Sequence, residues 1–282
     1  MHHHDHDDEL HDHDKGLSHD LPRMLSRRRA LTVFGGAGLL ALAGCGDDAA
    51  TGTSTTPAAS SPAAPSSRAA AASGAGEIPE ETGGPFPGDG SNGVNVLTES
   101  GIVRSDITSS FGPASGVASG VPLKITLTVL DVANGAFSPY RGAAVYLWHC
   151  DIDGNYSLYS QGVEQENYLR GVQEAAADGT VTFTSIFPAA YSGRWPHIHF
   201  EVYPSLEAAT SATGRLRTSQ LALPEDTSKL VYATDGYSGS VANLARTSLD
   251  TDNVFSDGYS LQLATVSGTV DDGLTASLNV PV

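Results

Sequence analysis

Of the ten histidines in this 282-residue chain, seven fall between His2 and His19, and beyond residue 20 only His149, His197 and His199 remain. Two of these three stand in His197-Ile198-His199-Phe200-Glu201-Val202, an apolar-rich run with the character of a strand. Side chains two apart in a strand leave from one face, so both imidazoles point one way and Ile198 points into the opposite layer. Directly upstream is Tyr191-Ser192-Gly193-Arg194-Trp195-Pro196, a glycine- and proline-bearing loop suited to folding a phenol and a guanidinium back over that face. Two imidazoles beside a phenol form a donor set for a metal ion. An isolated His-x-His is equally compatible with a polar, exposed strand edge. The scarcity of histidine and the company of Tyr, Arg, Trp and Pro favour a site. His149 is read differently: its neighbour Cys150 would face the opposite side of a strand, so the two do not share an ion, and His149 is assigned a structural or exposed role.

These residues need a frame, and from about residue 77 to 282 apolar and polar residues alternate in short runs separated by Gly, Pro, Asn and Asp. That pattern predicts strands over 123–130, 143–150, 180–184, 197–203, 219–223, 261–270 and 274–280, with turns at Asp153-Gly154-Asn155, Asp178-Gly179 and Asp271-Asp272-Gly273. Residues 167–177 and 206–213 each have room for a helical turn, but no stretch of ten or more residues carries a convincing apolar helical period. The expected fold is all-β, an antiparallel β-sandwich with long loops.

The first 76 residues read as targeting and tether. Arg27-Arg28-Arg29 precedes an uncharged stretch over 30–43, too short to span a bilayer but of the length of a signal's apolar segment. Ser26 to Leu31 resembles a twin-arginine export signal, and Leu42-Ala43-Gly44-Cys45 resembles a lipobox whose cysteine carries the lipid anchor. From Gly46 to Gly76, 28 of 31 residues are Ala, Gly, Pro, Ser or Thr, a composition unable to bury enough apolar surface to offset its ordering entropy. The expected organisation is a leader and signal segment over 1–44, a disordered linker over 45–76 and a folded domain over 77–282. It implies an exported protein, secreted or anchored at Cys45 to the outer face of the cytoplasmic membrane. With Cys45 so used, Cys150 has no partner within the chain and is expected to be a buried, free thiol.

Charge narrows the partners. The chain has 15 basic and 32 acidic residues, and ten basic against 25 acidic of these follow residue 45, so the body is acidic in its own right. Sequence-independent binding to nucleic acid is disfavoured.

Further residues join the first cluster through a likeness. Val145 to Asp151, Asp153-Gly154-Asn155-Tyr156-Ser157, Tyr168 to Gln173 and Tyr191 to Phe200 together resemble the intradiol ring-cleavage dioxygenases, the group of protocatechuate 3,4-dioxygenase and catechol 1,2-dioxygenase, in a secreted, single-domain form. The resemblance implies a non-haem Fe(III) bound by Tyr156, Tyr191, His197 and His199. Tyr159 and Tyr168 compete with Tyr156 for the first tyrosine position. Fe(III) is a hard, highly charged ion suited to phenolate oxygen, whereas two histidines with one carboxylate would suggest Fe(II). The same resemblance makes Arg194 the group that stabilises negative charge on the substrate ring, and sets Gln220 near the iron. It also makes Tyr191 a catalytic ligand that leaves the iron and accepts a proton when catechol binds. The implied reaction cleaves a catechol-type ring with O2 to a muconic acid-type product. Long-range acidity mildly disfavours a carboxylated ring. Two rival readings use the same residues: a tethered, non-catalytic β-sandwich binding or adhesion module, and a zinc hydrolase built on His197 and His199, for which no carboxylate stands at the usual spacing.

Overall fold

Two sheets face each other across a core made by alternation. The computed structural model describes residues 76–133 and 136–282. The export motif, the lipobox at Cys45 and the tether as far as residue 75 lie outside the described residues. The first sheet contains β1 (Pro122–Ala133), β2 (Ala136–Pro139), β5 (Thr180–Ile186), β8 (Thr265–Thr269) and β9 (Gly273–Pro281). Its order is β2-β1-β9-β8, with β5 also pairing along β1. The second sheet contains β3 (Ala144–Trp148), β4 (Arg170–Glu174), β6 (His197–Tyr203) and β7 (Arg217–Ala222), in the order β4-β3-β6-β7. Every pairing is antiparallel except β1 with β9, which run parallel.

In β1, Leu123, Ile125, Leu127 and Val129 are buried while Lys124, Thr126 and Thr128 are not, and β9 repeats the pattern with Leu274, Ala276, Leu278 and Val280. The first sheet therefore has one dry and one wet face. Burying each leucine, isoleucine or valine of this set stabilises the fold by about 1.5–3 kcal/mol. The second sheet is different, because β3 and β6 are buried at every position. Val145, Leu147, Ile198, Phe200, Val202 and Leu221 fill the space between the sheets. The opposite face carries Tyr146, Trp148, His197, His199, Glu201 and Gln220, all buried too. Long loops cover much of that outer face.

The expected β-sandwich is what the chain forms, with differences that have physical causes. Residues 170–174, read as room for a helical turn, form strand β4. The pattern was hidden because Arg170, buried on the loop-covered outer face, is charged: its guanidinium donates to the carbonyls of Phe86, Pro87 and Ser157 and to the hydroxyls of Ser157 and Tyr146. The strand expected from 261 begins only at Thr265, since the N–H groups of Gln262 and Leu263 both turn back to the Tyr259 carbonyl. The helical turn expected in 206–213 is α1 (Leu206–Thr210), capped by Ser205. Two further helices, α2 (Glu225–Tyr232) and α3 (Ser238–Leu244), are eight and seven residues long, too short to show a period in sequence.

His149 ties the sheets together. It is buried, with Nδ1 against the Cys150 carbonyl at 2.8 Å and Nε2 against Ser185 Oγ of β5 at 2.7 Å. Cys150 is free and buried, its thiol donating to the Ala189 carbonyl. Burial pushes the His149 imidazole down to about 4, so it stays neutral in the native state. In the unfolded chain it titrates near 6.5. Below that pH the unfolded state takes up a proton the native state does not, and stability falls as pH drops toward 4. Urea unfolding at pH 7 and pH 5 tests this: the parent loses about 2 kcal/mol more over that interval than His149→Gln. Equal losses in the two proteins would remove His149 as the cause.

Candidate metal centre

The register of β6 sets the imidazoles. His199 pairs with Trp148 of β3 on one side and Gln220 of β7 on the other, and His197 pairs with Ala222. Ile198 and Phe200 sink into the core between them and fix which way the histidines face. The Trp148 indole stacks on the His199 ring at 4.9 Å and 4°, which fixes the imidazole plane. From the other side the loop over 82–87 passes close to His199. A Cβ on Gly84 would lie 3.4 Å from His199 Cε1, and the backbone there has φ of +71°, so glycine serves both the approach and the turn.

Tyr191 and Arg194 come from the loop between β5 and β6. Helix α3 clamps the residue before Tyr191 at two points: the Ala190 N–H donates to Ser240 Oγ, and Asn243 Nδ2 donates to the Ala190 carbonyl. A turn through Gly193, φ +82°, closes with the Arg194 N–H on the Tyr191 carbonyl and presents both side chains to the same space. Tyr156 follows a turn organised by Asp151, whose Oδ1 accepts from the N–H groups of Asp153 and Asn155. The Tyr156 N–H donates to Ser160 Oγ, and Phe86 packs on its ring at 5.0 Å.

Four donor atoms converge. Tyr156 Oη lies 3.4 Å from Tyr191 Oη, Tyr191 Oη 3.2 Å from His197 Nε2, and His197 Nε2 3.1 Å from His199 Nε2. These are the spacings of ligand atoms each roughly 2.0–2.2 Å from one centre. The electrostatics agree with a cation. His197 Nδ1 donates to the Trp195 carbonyl, which leaves Nε2 as a lone pair turned toward the other imidazole nitrogen. His199 Nδ1 is buried with no hydrogen-bond partner among the described residues. Burial, reinforced by Arg194 and, for His199, by His197, holds both imidazoles well below their ordinary pKa, so they are neutral at neutral pH. Burial raises Tyr156 well above the ordinary phenol value and raises Tyr191 against the pull of Arg194. With no cation the phenols keep their protons, and binding one would release them. Among the described residues no group of three or more His, Cys, Asp and Glu side chains is placed to hold an ion. The convergent set here is mixed phenol and imidazole, suited to a hard, high-charge ion.

The remaining residues expected at the site divide. Arg194 is buried, its Nη1 3.4 Å from His197 Nε2; burial opposes its charge, but Tyr191 and Asp252 more than offset this and raise its pKa. Gln220 is adjacent, but both ends of its amide are engaged: Oε1 accepts from Arg194 Nη2 at 2.6 Å and Nε2 donates to the Thr82 carbonyl at 2.9 Å. The competing tyrosines lie elsewhere. Tyr159 Oη accepts from the Gly88 N–H and donates to Asn92, and Tyr168 donates to Asp151. Asp252, Trp148 and the α3 clamp were not expected; Trp148 alone had a signal, since it stands in the strand that pairs with β6.

Comparison with known proteins follows the same direction. No protein-family model matches the chain. A curated relative, chlorocatechol 1,2-dioxygenase of Rhodococcus opacus, is 36% identical over 72 residues, which is 26% of this chain and 27% of that protein. The match thus spans about a quarter of the relative's length. Among solved structures, an intradiol ring-cleavage dioxygenase from Tetranychus urticae is 26% identical, covers 65% of this chain and 87% of its own, and superposes with a TM-score of 0.52. The dioxygenase domain of a dioxygenase–carbohydrate-binding protein fusion from Streptomyces sp. SirexAA-E is 20% identical over 73% of this chain and 98% of its own, with a TM-score of 0.47. The matched segment and the shared two-sheet fold together make the chain similar to the intradiol ring-cleavage dioxygenases.

Proposed function

We propose that this protein is a non-haem Fe(III)-dependent intradiol dioxygenase that opens a catechol-type ring with O2 to a muconic acid-type product. The observation that carries the reading is the approach of Tyr156, Tyr191, His197 and His199 to within 3.1–3.4 Å of one another along the chain of four donor atoms. A ferric ion held by these four side chains would act as Lewis acid and template for the two adjacent oxygens of a catechol, and draw charge from the ring so that O2 can react with it.

The protein's own groups have separable tasks in this reading. Tyr156, packed against Phe86 and held by Ser160 at its backbone, is the fixed phenol. Tyr191 is the exchangeable one. Its Oη lies between the other phenol and His197, and burial favours its protonated form, so this phenol is suited to take up and keep a proton from an incoming catechol hydroxyl. Arg194 stays charged and steadies negative charge on the ring, an effect strengthened by its dry surroundings. Gln220 holds Arg194 through its amide oxygen. Trp148, Phe86 and the loop over 82–87 keep water from the site.

The relative's named substrate is a chlorocatechol. An uncharged ring with two adjacent hydroxyls suits a domain this acidic better than a carboxylated one. Export and attachment through Cys45 belong to the same proposal, and would set the reaction outside the cytoplasmic membrane.

Oxygen uptake with a panel of catechols, with product identification, tests the reading on the iron-loaded domain. Tyr191→Phe and His199→Ala each abolish catechol consumption while keeping the parent's folded spectrum; either variant working at the parent rate contradicts the assignment. Arg194→Met retains bound iron but lowers kcat/KM by roughly 10²–10³-fold. An unchanged kcat/KM would remove Arg194 from the reaction.

A further inference from the structure

Asp252 stands 58 positions from Arg194 in sequence, just ahead of the 3-10 turn Phe255–Asp257, and is 1% exposed. All of these neighbours are donors. Oδ2 accepts from Arg194 Nε at 2.9 Å and the Trp195 N–H at 2.7 Å. Oδ1 accepts from the N–H groups of Val254 at 2.8 Å and Phe255 at 3.3 Å, with Arg194 Nη2 at 3.4 Å. These contacts occupy both oxygens and leave the carboxylate a single orientation.

The consequence falls on Arg194. Its guanidinium is a rigid plane of donors. Asp252 holds it at Nε, Gln220 holds Nη2 at 2.6 Å, and the remaining nitrogen, Nη1, is turned to His197 Nε2. The same Asp252 oxygen that holds Nε also holds the peptide of Trp195, whose carbonyl receives His197 Nδ1. One carboxylate therefore fixes both the arginine plane and the backbone that orients the histidine.

Resting on the reading of Arg194 given above, we propose that Asp252 is the positioning residue of this site, aiming the Arg194 guanidinium at the place where negative charge develops on the bound ring. Asp252 touches neither the four donor atoms nor the substrate in this account. It acts through Arg194, and its counter-charge keeps that buried cation from being left unpaired. A misaimed charge loses most of its worth, because electrostatic stabilisation depends on donors already in place. Asp252→Asn would turn an amide NH2 toward one of the two donor groups, whereas Asp252→Glu keeps the charge and shifts it by one methylene.

The test is a double-mutant cycle on the iron-loaded domain, with catechol as substrate and with iron content, visible absorption and thermal unfolding measured beside it. The expected result is that Asp252→Asn keeps the parent's iron content and absorption, loses roughly ten- to a hundredfold in kcat/KM, chiefly in kcat, and recovers part of this as Asp252→Glu. In an Arg194→Met background the same Asp252→Asn change has an effect of less than about twofold. Two results overturn the proposal: a stable, iron-loaded Asp252→Asn protein with parental kcat/KM, or a loss as large without Arg194 as with it. Should Asp252→Asn fail to fold, Asp252→Glu carries the same cycle: a lowered kcat that disappears in the Arg194→Met background supports the role, and an additive loss ends it. A parent protein that consumes no catechol overturns the functional reading and this proposal with it, whereas an active parent with an indifferent Asp252 overturns this proposal alone.

Discussion

Holding two phenols and two imidazoles against one another in a largely buried site is the constraint on which the rest of the structure depends. Polar atoms removed from water without partners are costly, and two neutral imidazoles meeting through their Nε2 atoms at 3.1 Å have at most one proton to share between them. The arrangement persists because each member is held from behind. His197 is anchored through Nδ1 to the Trp195 carbonyl, His199 lies flat on Trp148, Tyr191 follows a backbone clamped by α3, and Tyr156 leaves a turn built on Asp151. Such pre-organisation is what a set of ordinary side chains would need in order to hold a cation.

The architecture explains why this is possible on the outer face of a sheet. In the first sheet, alternation leaves one side to water. In the second, loops over 82–87 and 149–169 return across the outer face and bury it as well. Those loops need anchors inside the protein, and buried polar groups supply them. Arg170 binds the carbonyls of Phe86 and Pro87, and Gln220 binds that of Thr82. Arg170 and Arg194 are thus cations with different tasks. The first holds the covering loops down; the second is held in turn by Asp252 and Gln220, with one nitrogen left toward the imidazoles. The surplus of acidic residues lies in the body that surrounds these buried cations.

Much of this was legible in sequence where the physics is local. Strand alternation located most of the two sheets, and a spacing of two within a strand put His197 and His199 on one face. Tyr191 and Arg194 followed because they are only six and three residues upstream of His197. Tyr156 was reached through family likeness, since a turn tyrosine has no spacing rule that ties it to a distant strand. Strand β4 was obscured by a buried arginine, and helices α2 and α3 by their shortness. Asp252 was invisible because its role arises only when the chain returns to Arg194 from far along the sequence. Gln220 was expected near the metal centre, yet its amide is engaged by Arg194 and Thr82, a distinction that only three-dimensional contacts reveal.

The most direct test of the central claim is a titration of Fe(III) into the metal-free domain, read by the visible phenolate-to-iron absorption, for the parent, Tyr156→Phe, Tyr191→Phe and the double variant. The account predicts a band that saturates at one iron per chain in the parent, weakens in each single variant and vanishes in the double variant. A parental band in the double variant, or a folded parent that binds iron without colour, would contradict it.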